Sequence, residues 1–188
     1  MPKLVDHAER RREVAEAVWR VIARDGVAEV SLRSVAAESG WSTGALRHYF
    51  ATRDELMAFA CELVIDRATE RLRGLRPAGS VREQVAAVLR ETLPLDAERH
   101  TESSIMFSFL TLGLGDPALA RVQRRHFTAM YDLCRQLVPH LTRADHDGAA
   151  RRLHAAVDGL AVHVLAGHLT PGAAAAELDA CLDALADD

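Results

Sequence analysis

The sequence predicts an all-α protein with about nine helices. Apolar residues recur at spacings of three and four along most of the 188 residues, whereas no stretch keeps the alternating pattern of a half-buried strand. Two helical stretches begin at a Ser or Thr that is followed three residues later by Glu, and several end at Gly or Pro. These start and stop signals favour separate helices joined by short connections.

The first predicted helix runs from Asp6 to Asp25 and stops at Gly26. Trp19 lies on its apolar stripe, so we expect this ring to pack in the core. The start of the helix is basic, and two interpretations of that cluster stay open: contact with phosphates or a minor groove, or a solvated helix start. The stripe comprises Val14, Val18, Val21 and Ile22, and the basic cluster comprises His7, Arg10, Arg11 and Arg12.

The next segment, Ser31 to Leu56, has the spacing of a helix-turn-helix. Ser31 can cap a short helix, and Gly40 can take the positive φ that a tight corner needs. Ser42 can cap a second helix, which Leu46 and Phe50 anchor. In such a hairpin the second helix is the one that reads DNA, and we call it the recognition helix.

Six further helices are predicted after this hairpin. Thr52 with Glu55, and Ser80 with Glu83, form two capping boxes. Pro139 must kink or end the helix that contains it. The expected helices run from Thr52 to about Leu75, Ser80 to about Leu93, about Asp96 to Gly113, Pro117 with Asp116 as cap to about Leu141, Thr142 to His168, and Thr170 to about Leu185.

Composition limits the kind of protein. The hydrophobic content of 49% is globular, and no apolar run reaches the length of a membrane span. The N-terminus lacks the apolar core of a signal peptide, and the three cysteines are odd in number and far apart. We therefore expect a cytoplasmic protein without a disulfide or a membrane partner. Residues 1–55 carry nine basic and nine acidic residues, so the net charge of −4 belongs to the remainder.

Catalytic and metal-binding patterns are missing from the sequence. There is no G-x-S-x-G segment, no phosphate-binding loop and no lysine after Lys3. The nine histidines form no H-x3-H pair, and the run from Asp145 to Gly148 lacks the later acidic positions of a calcium loop. We expect no enzyme activity, no metal site and no cofactor.

Two segments resemble a known family. The region from Arg11 to Asp25 through SLRSVAAESGWSTGALRHYFATRDEL resembles the DNA-binding domain of TetR-family bacterial transcriptional regulators. GDPALARV and the tail DGLAVHVLAGHLTPGAAAAELDACLDAL resemble the C-terminal domain of the BetI-like branch. The resemblance implies a dimeric repressor that binds a palindromic double-stranded operator and leaves it when a small molecule binds. It also implies two domains, residues 1–51 for DNA binding and residues 52–188 for ligand binding and dimerisation.

The resemblance places DNA contacts on particular residues. Arg47 can bind a guanine edge or a phosphate, Thr43 a base edge, and Tyr49 a phosphate. Arg47 stands where relatives often have tyrosine, and Trp41 where a smaller aliphatic residue is usual; Trp41 can pack under the turn or lie against the DNA backbone. Arg53, in the first turn of its helix, is a further phosphate candidate. The full predicted set is Arg33, Ser42, Thr43, Gly44, Arg47, His48, Tyr49 and Arg53.

Effector and dimer positions are predicted from apolar helix faces. Apolar helix faces usually pack in the core, so the residues of the middle helices can be either core or the wall of an effector cavity. The residues expected at the cavity are Phe59, Leu63, Met106, Phe109, Leu110, His126, Met130, Tyr131, Cys134 and His163. The two last helices carry apolar seams that could form an intersubunit four-helix bundle or simply pack inward. The predicted interface is Leu153, Val157, Leu160, Ala161, Val164, Leu178, Leu182 and Leu185.

These patterns together predict a ligand-responsive DNA-binding regulator. The competing interpretation is an all-α small-molecule binding protein or enzyme whose N-terminal hairpin is structural. Binding to a specific operator distinguishes the two.

Overall fold

The computed structural model describes residues 7–113, 117–143 and 145–187. Within these ranges the chain forms nine α-helices, two short 3₁₀ turns and no strand, so the predicted all-α class is confirmed. The helices are α1 (His7–Asp25), α2 (Leu32–Ser39), α3 (Thr43–Tyr49), α4 (Arg53–Gly74), α5 (Val81–Arg90), α6 (Ala97–Gly113), α7 (Pro117–Leu137), α8 (His146–Leu165) and α9 (Pro171–Asp187). The 3₁₀ turns are Val27–Glu29 and Val138–His140.

Most helix ends follow the predicted capping residues. Ser80 and Glu83 form the expected reciprocal capping box at α5. At α4 the Thr52 hydroxyl accepts from the Glu55 amide at 3.1 Å, but the Glu55 carboxylate reaches one residue further and accepts from the Ala51 amide at 2.7 Å. Helix α7 ends at Leu137, because Pro139 cannot continue it. The predicted loop cap Asp116 lies outside the described residues.

The start of α8 corrects one expectation. Thr142 is not its cap; the helix begins four residues later, with Asp145 at the N-cap position. A Cβ on Gly148 would collide with the Asp145 carboxylate, so the glycine leaves room for that side chain beside the first turn. Thr142 instead follows the Val138–His140 turn, where its amide donates to the Val138 carbonyl at 3.2 Å.

Two hydrophobic clusters organise the packing. The first joins α1, α2, α3, α4 and α6, with the fully buried side chains Leu46, Phe50 and Phe109 among its largest members. The second joins α5, α7, α8 and α9. Burying each large apolar side chain contributes about 1.5–3 kcal/mol. The proposed division between residues 51 and 52 stays a prediction, and the first cluster continues across it through Leu56 and Met57.

The apolar seams of α8 and α9 pack against the protein's own core. Seven of the eight predicted dimer residues are buried within the single chain, and Leu160 is half-buried. This burial agrees with the alternative in which the seams pack inward. The dimer interface itself stays a prediction. The buried seven are Leu153, Val157, Ala161, Val164, Leu178, Leu182 and Leu185.

No helix in the described ranges is both long and apolar enough to cross a lipid bilayer.

Candidate nucleic-acid interface and internal cavity

Local hydrogen bonds fix the helical hairpin. The Ser31 hydroxyl accepts from the Ser34 amide at 3.0 Å, and the Ser34 hydroxyl accepts from the Ser31 amide at 2.9 Å. Gly40 ends α2 with φ of 73°, in the left-handed region that glycine adopts without strain. The Ser42 hydroxyl accepts from the Ala45 amide at 3.1 Å and so caps α3. The predicted turn and caps are confirmed.

The recognition helix α3 buries one face and exposes the other. Leu46 and Phe50 lie in the core at 0% and 1% exposure. The exposed face carries the polar positions that the sequence predicts for DNA contacts, while Tyr49 is half-buried. The exposed residues are Ser42, Thr43, Gly44, Arg47 and His48 on this helix, together with Arg33 on α2. Their surface position is compatible with base and phosphate contacts, which remain predictions.

Aromatic and arginine side chains join α1 to the hairpin. The ring of Trp41 packs edge-to-face against Tyr49 at 5.3 Å between centroids, and the Arg10 guanidinium lies 5.4 Å from the Trp41 centroid. Arg11 covers both Phe50, at 4.9 Å, and Phe59, at 4.6 Å. Of the two alternatives for Trp41, packing under the turn agrees with these contacts. Two of the basic side chains of α1 thus serve the packing of the hairpin.

Arg53 has a different environment from the one predicted. Its Nε donates to the Val30 carbonyl at 2.8 Å, and its Nη2 donates to the Val27 carbonyl at 3.1 Å. The side chain is half-buried and connects the first turn of α4 to the segment before α2. Two of its donor groups are directed to backbone carbonyls inside the protein, which gives Arg53 a structural role that the sequence did not predict; its phosphate contact stays a prediction.

A cavity of about 70 Å³ lies among α4, α6, α7 and α8, next to the end of α5. Val64 and Ala68 of α4 form one wall, and His126 and Met130 of α7 form another. These four residues, with Thr92, also line a groove of about 390 Å³ between α4 and α7. The groove and the cavity therefore adjoin each other at these five residues.

The cavity wall carries more acidic groups than basic ones. Glu91, Glu102 and Asp158 line it, with Arg99 as the basic member. Glu91 pairs with Arg99 at 3.1 Å and Glu102 with Arg71. Asp158 has no arginine among its ion pairs in the described part of the chain; its partner is His154, whose Nε2 lies 3.3 Å from Asp158 Oδ2 without hydrogen-bond alignment. Burial raises the pKa of Asp158, and the neighbouring His154 opposes that rise.

The predicted effector residues separate into two groups. Met106, His126 and Met130 line the cavity, and Leu110 lines a small pocket that shares Met106 and His126 with it. Phe109 and Cys134 are fully buried core, and His163 is exposed at the end of α8, where its ring meets His168. Phe59, Leu63 and Tyr131 are half-buried and line none of these pockets, and the effector contacts of the whole set stay predictions.

Sequence reasoning missed the charged cavity residues. Glu102 precedes the apolar run of α6 and Asp158 directly follows Val157 on the apolar seam of α8. A carboxylate beside a buried stripe is a usable signal for a polar group at the edge of the core. Applying that signal to Glu102 and Asp158 would have added them to the predicted cavity.

We expect His126 to make stability fall at acidic pH. Burial, and to a lesser extent His154, lowers the pKa of His126 from 6.5 to about 4. An unfolded histidine takes up a proton below pH 6.5 while the folded one stays neutral, so the free energy of unfolding falls by about 3 kcal/mol between pH 6.5 and pH 4. Urea unfolding across this range, compared with a His126→Met variant, measures the contribution. Parallel pH profiles for the two proteins would contradict it.

The geometry defines a class of protein. An exposed recognition helix is held in a helix-turn-helix, and one long helix, α4, connects it to a helical body that contains a cavity. This is the arrangement of a DNA-binding transcriptional regulator with a ligand-binding body.

The chain belongs to the TetR family of bacterial regulatory proteins. Residues 14–59 match the family model described as "Bacterial regulatory proteins, tetR family", and residues 81–187 match "BetI-type transcriptional repressor, C-terminal". Regulators of this family bind operator DNA and small-molecule effectors, typically as dimers. The resemblance inferred from the sequence is confirmed in both segments.

Individual relatives agree with the family. The HTH-type transcriptional regulator PksA of Bacillus subtilis (strain 168) is 40% identical over 177 residues, covering 88% of this chain and 83% of the relative. A solved transcriptional regulator from Rhodococcus sp. Rha1 is 27% identical, with a TM-score of 0.85 and coverage of 94% and 96%. The multidrug binding protein EbrR, solved in complex with ethidium, is 26% identical, with a TM-score of 0.69 and coverage of 92% and 98%.

Proposed function

We propose that this regulator is a dimeric repressor that binds a palindromic operator and is released by a small organic cation. The observation that carries the effector class is the Asp158 carboxylate, which lines the cavity without an arginine partner among the described residues. A positively charged ligand would supply the missing counter-charge in a partly desolvated site. The matched family of BetI-type repressors supports repression over activation.

The exposed face of α3 supports operator binding. Arg47 can donate two hydrogen bonds to a guanine edge in the major groove, and Thr43 can contact a base edge or a thymine methyl group. Arg33 on the preceding helix is placed to contact a phosphate, which adds affinity without sequence preference. Two such heads must enter major grooves separated by about 34–36 Å or a multiple of it, so a symmetric dimer is part of the proposal.

We place the dimer interface on the outer face of α8 and α9, opposite the buried seams. This face carries small residues that permit close helix approach, and Val162, which is 45% exposed. A Cβ at Gly159 would meet no atom of the chain within 4 Å, so the face has room for a second subunit. The proposed residues are Ala155, Gly159, Val162 and Ala166 on α8, and Ala173, Ala176, Ala180 and Ala184 on α9.

The cationic effector has support from chemistry and from one relative. EbrR was solved with ethidium, which is an organic cation. In this chain the cavity offers the methionine side chains Met106 and Met130, the ring of Phe107 and the carboxylate of Asp158. Polarisable and aromatic groups around one carboxylate suit an alkylated ammonium ion. The cavity is small, so binding of a larger cation would require it to widen toward the groove between α4 and α7.

A gel-shift titration tests the proposal. The wild-type protein is mixed with the DNA that flanks its own gene, with and without an excess of random-sequence DNA, and tetramethylammonium chloride is then added against a sodium chloride control. We expect a complex of two subunits per site that survives the random competitor and dissociates with tetramethylammonium. Equal competition by random DNA would disprove operator recognition, and an equal effect of both salts would disprove the cationic effector.

Asp158→Asn should separate effector binding from DNA binding. Removing the charge while keeping the shape should weaken tetramethylammonium binding about tenfold, because a charge-assisted contact is lost. Operator affinity without the cation should change less than about twofold, since Asp158 is in the body. Calorimetry measures the first quantity and fluorescence anisotropy the second. Asp66→Asn, an exposed position on α4, is the matched control and should leave both unchanged.

A further inference from the structure

One ion pair joins the cavity to the helix that carries the DNA-binding head. Arg71, near the end of α4, donates to both carboxylate oxygens of Glu102 on α6, with Nη1 and Oε1 2.6 Å apart. The Glu102 side chain is only 7% exposed and lines the cavity. A single buried carboxylate therefore faces both the cavity and α4.

The neighbouring charges make Glu102 dependent on Arg71. Glu91 also accepts from Arg71, at 3.3 Å, but it has a second partner in Arg99 at 3.1 Å. For Glu102, Arg71 is the one ion-pair partner within the described residues. Burial raises the pKa of Glu102 although the Arg71 hydrogen bond opposes the rise, which shows how costly its charge is in this position.

This arrangement limits what can happen to the pair. Removing the arginine alone would leave a buried carboxylate without a counter-charge, which is strongly unfavourable. A cation that enters the cavity brings a replacement charge to Glu102. The exchange then leaves Glu102 paired and separates Arg71 from it, with Glu91 and Glu98 as the remaining partners of Arg71.

We propose that Glu102 is a second carboxylate for the cationic effector, and that the effector displaces Arg71 from it and so releases the C-terminal half of α4. The inference rests on the proposed cationic effector, which Asp158 holds from the opposite helix. Val64 and Ala68, on the same helix as Arg71, already form the cavity wall, so an entering ligand contacts α4 directly. Release changes the position of α4 and with it the head, and the ligand's differential affinity for the two positions is the coupling.

Neutralising each member of the pair in turn distinguishes competition between the ligand and Arg71 from a purely structural role of the ion pair. Calorimetry with tetramethylammonium chloride at about pH 8 is done on Glu102→Gln and Arg71→Gln. Glu102→Gln should bind about tenfold more weakly because a carboxylate contact is lost, and Arg71→Gln about threefold more tightly because the competitor is gone. Arg20→Gln is the control: Arg20 of α1 pairs with Glu38 of α2 and lines neither the cavity nor the groove, so cation affinity should not change.

Trp19 reports whether α4 moves. The Arg67 guanidinium lies 4.4 Å from the centroid of the Trp19 ring, and a Trp41→Phe substitution leaves Trp19 as the one tryptophan of the sequence. Tetramethylammonium should change Trp19 emission in this single-tryptophan protein. Adding Glu102→Gln to it should produce most of that change without the cation, because Arg71 has already lost its ion pair across to α6 at Glu102.

Each outcome has a defined meaning. Weaker cation binding in both Glu102→Gln and Arg71→Gln overturns the exchange, since it shows only loss of a supporting ion pair. Wild-type affinity in both variants also overturns it while leaving the cationic effector intact, provided that Asp158→Asn still weakens binding. If the wild-type protein does not bind tetramethylammonium at all, the proposed cationic effector is itself wrong. Should Glu102→Gln fail to fold by circular dichroism, Glu102→Asp keeps the charge at a shorter reach and should bind the cation at near wild-type strength.

Discussion

A Val162→Glu variant is expected to be monomeric and to lose operator affinity by about a hundredfold or more. The side chain is 45% exposed in the single chain but lies in the centre of the proposed α8 and α9 interface. Dimerisation would bury its carboxylate against a copy of itself, which is unfavourable for two like charges. Operator affinity then falls because two linked heads bind about 10²–10⁴-fold more tightly than one.

A second valine provides the control for this prediction. Val81, at the start of α5, is 51% exposed and is not one of the residues of the proposed interface. Val81→Glu should stay dimeric and bind the operator normally, and both variants should melt as cooperatively as the wild type. Sedimentation equilibrium gives the mass and anisotropy the affinity. A dimeric Val162→Glu, or a monomeric Val81→Glu, would place the interface elsewhere.

Arg53→Ala should lower the free energy of unfolding by about 3 kcal/mol, because two hydrogen bonds from a charged donor to the Val30 and Val27 carbonyls are lost. The segment between α1 and α2 then loses its connection to α4. We expect poorer operator binding as a consequence of lower stability, with an unchanged dependence on salt. Urea unfolding and a salt titration of operator affinity measure the two effects.

Arg33→Ala is the comparison, since its side chain is exposed on α2. Its unfolding free energy should stay within about 0.5 kcal/mol of the wild type. Its binding should weaken similarly on operator and random DNA, and the salt dependence should decrease by about one unit of slope. If Arg53→Ala shows the reduced slope and keeps its stability, the original phosphate assignment for Arg53 is correct.

The fold could be predicted well because local rules determine most of it. Ser31, Gly40 and Ser42 act through hydrogen bonds and backbone angles within three or four residues, so their roles can be inferred from sequence spacing alone. The same reasoning failed at Thr142, where the Val138–His140 turn and the room beside Gly148 set the helix start.

The site was less predictable because its properties depend on distant residues. The position of Arg53 in the first turn of its helix favours contact with an anion. Its side chain instead donates to backbone carbonyls that lie 23 and 26 residues earlier in the chain. The apolar periodicity that includes Leu153 and Leu178 identifies the most apolar face of α8 and of α9. These faces pack in the core of the same chain. The face proposed for the dimer consists mainly of alanine, which periodicity of large apolar residues does not detect. The buried pairing of Glu102 with Arg71 spans 31 residues and depends on the packing of two helices.

The arginine that covers Phe50 and Phe59 has a mechanical consequence. Arg11 contacts the end of the recognition helix and the start of α4 at once, so this side chain links α1 to both segments. Helix α4 has 22 residues and is therefore about 33 Å long. A tilt of about 5° about its cavity end would carry the head about 3 Å and so change the separation of two heads on DNA. A small change in the volume of the cavity would thus produce a larger displacement of the DNA-binding head.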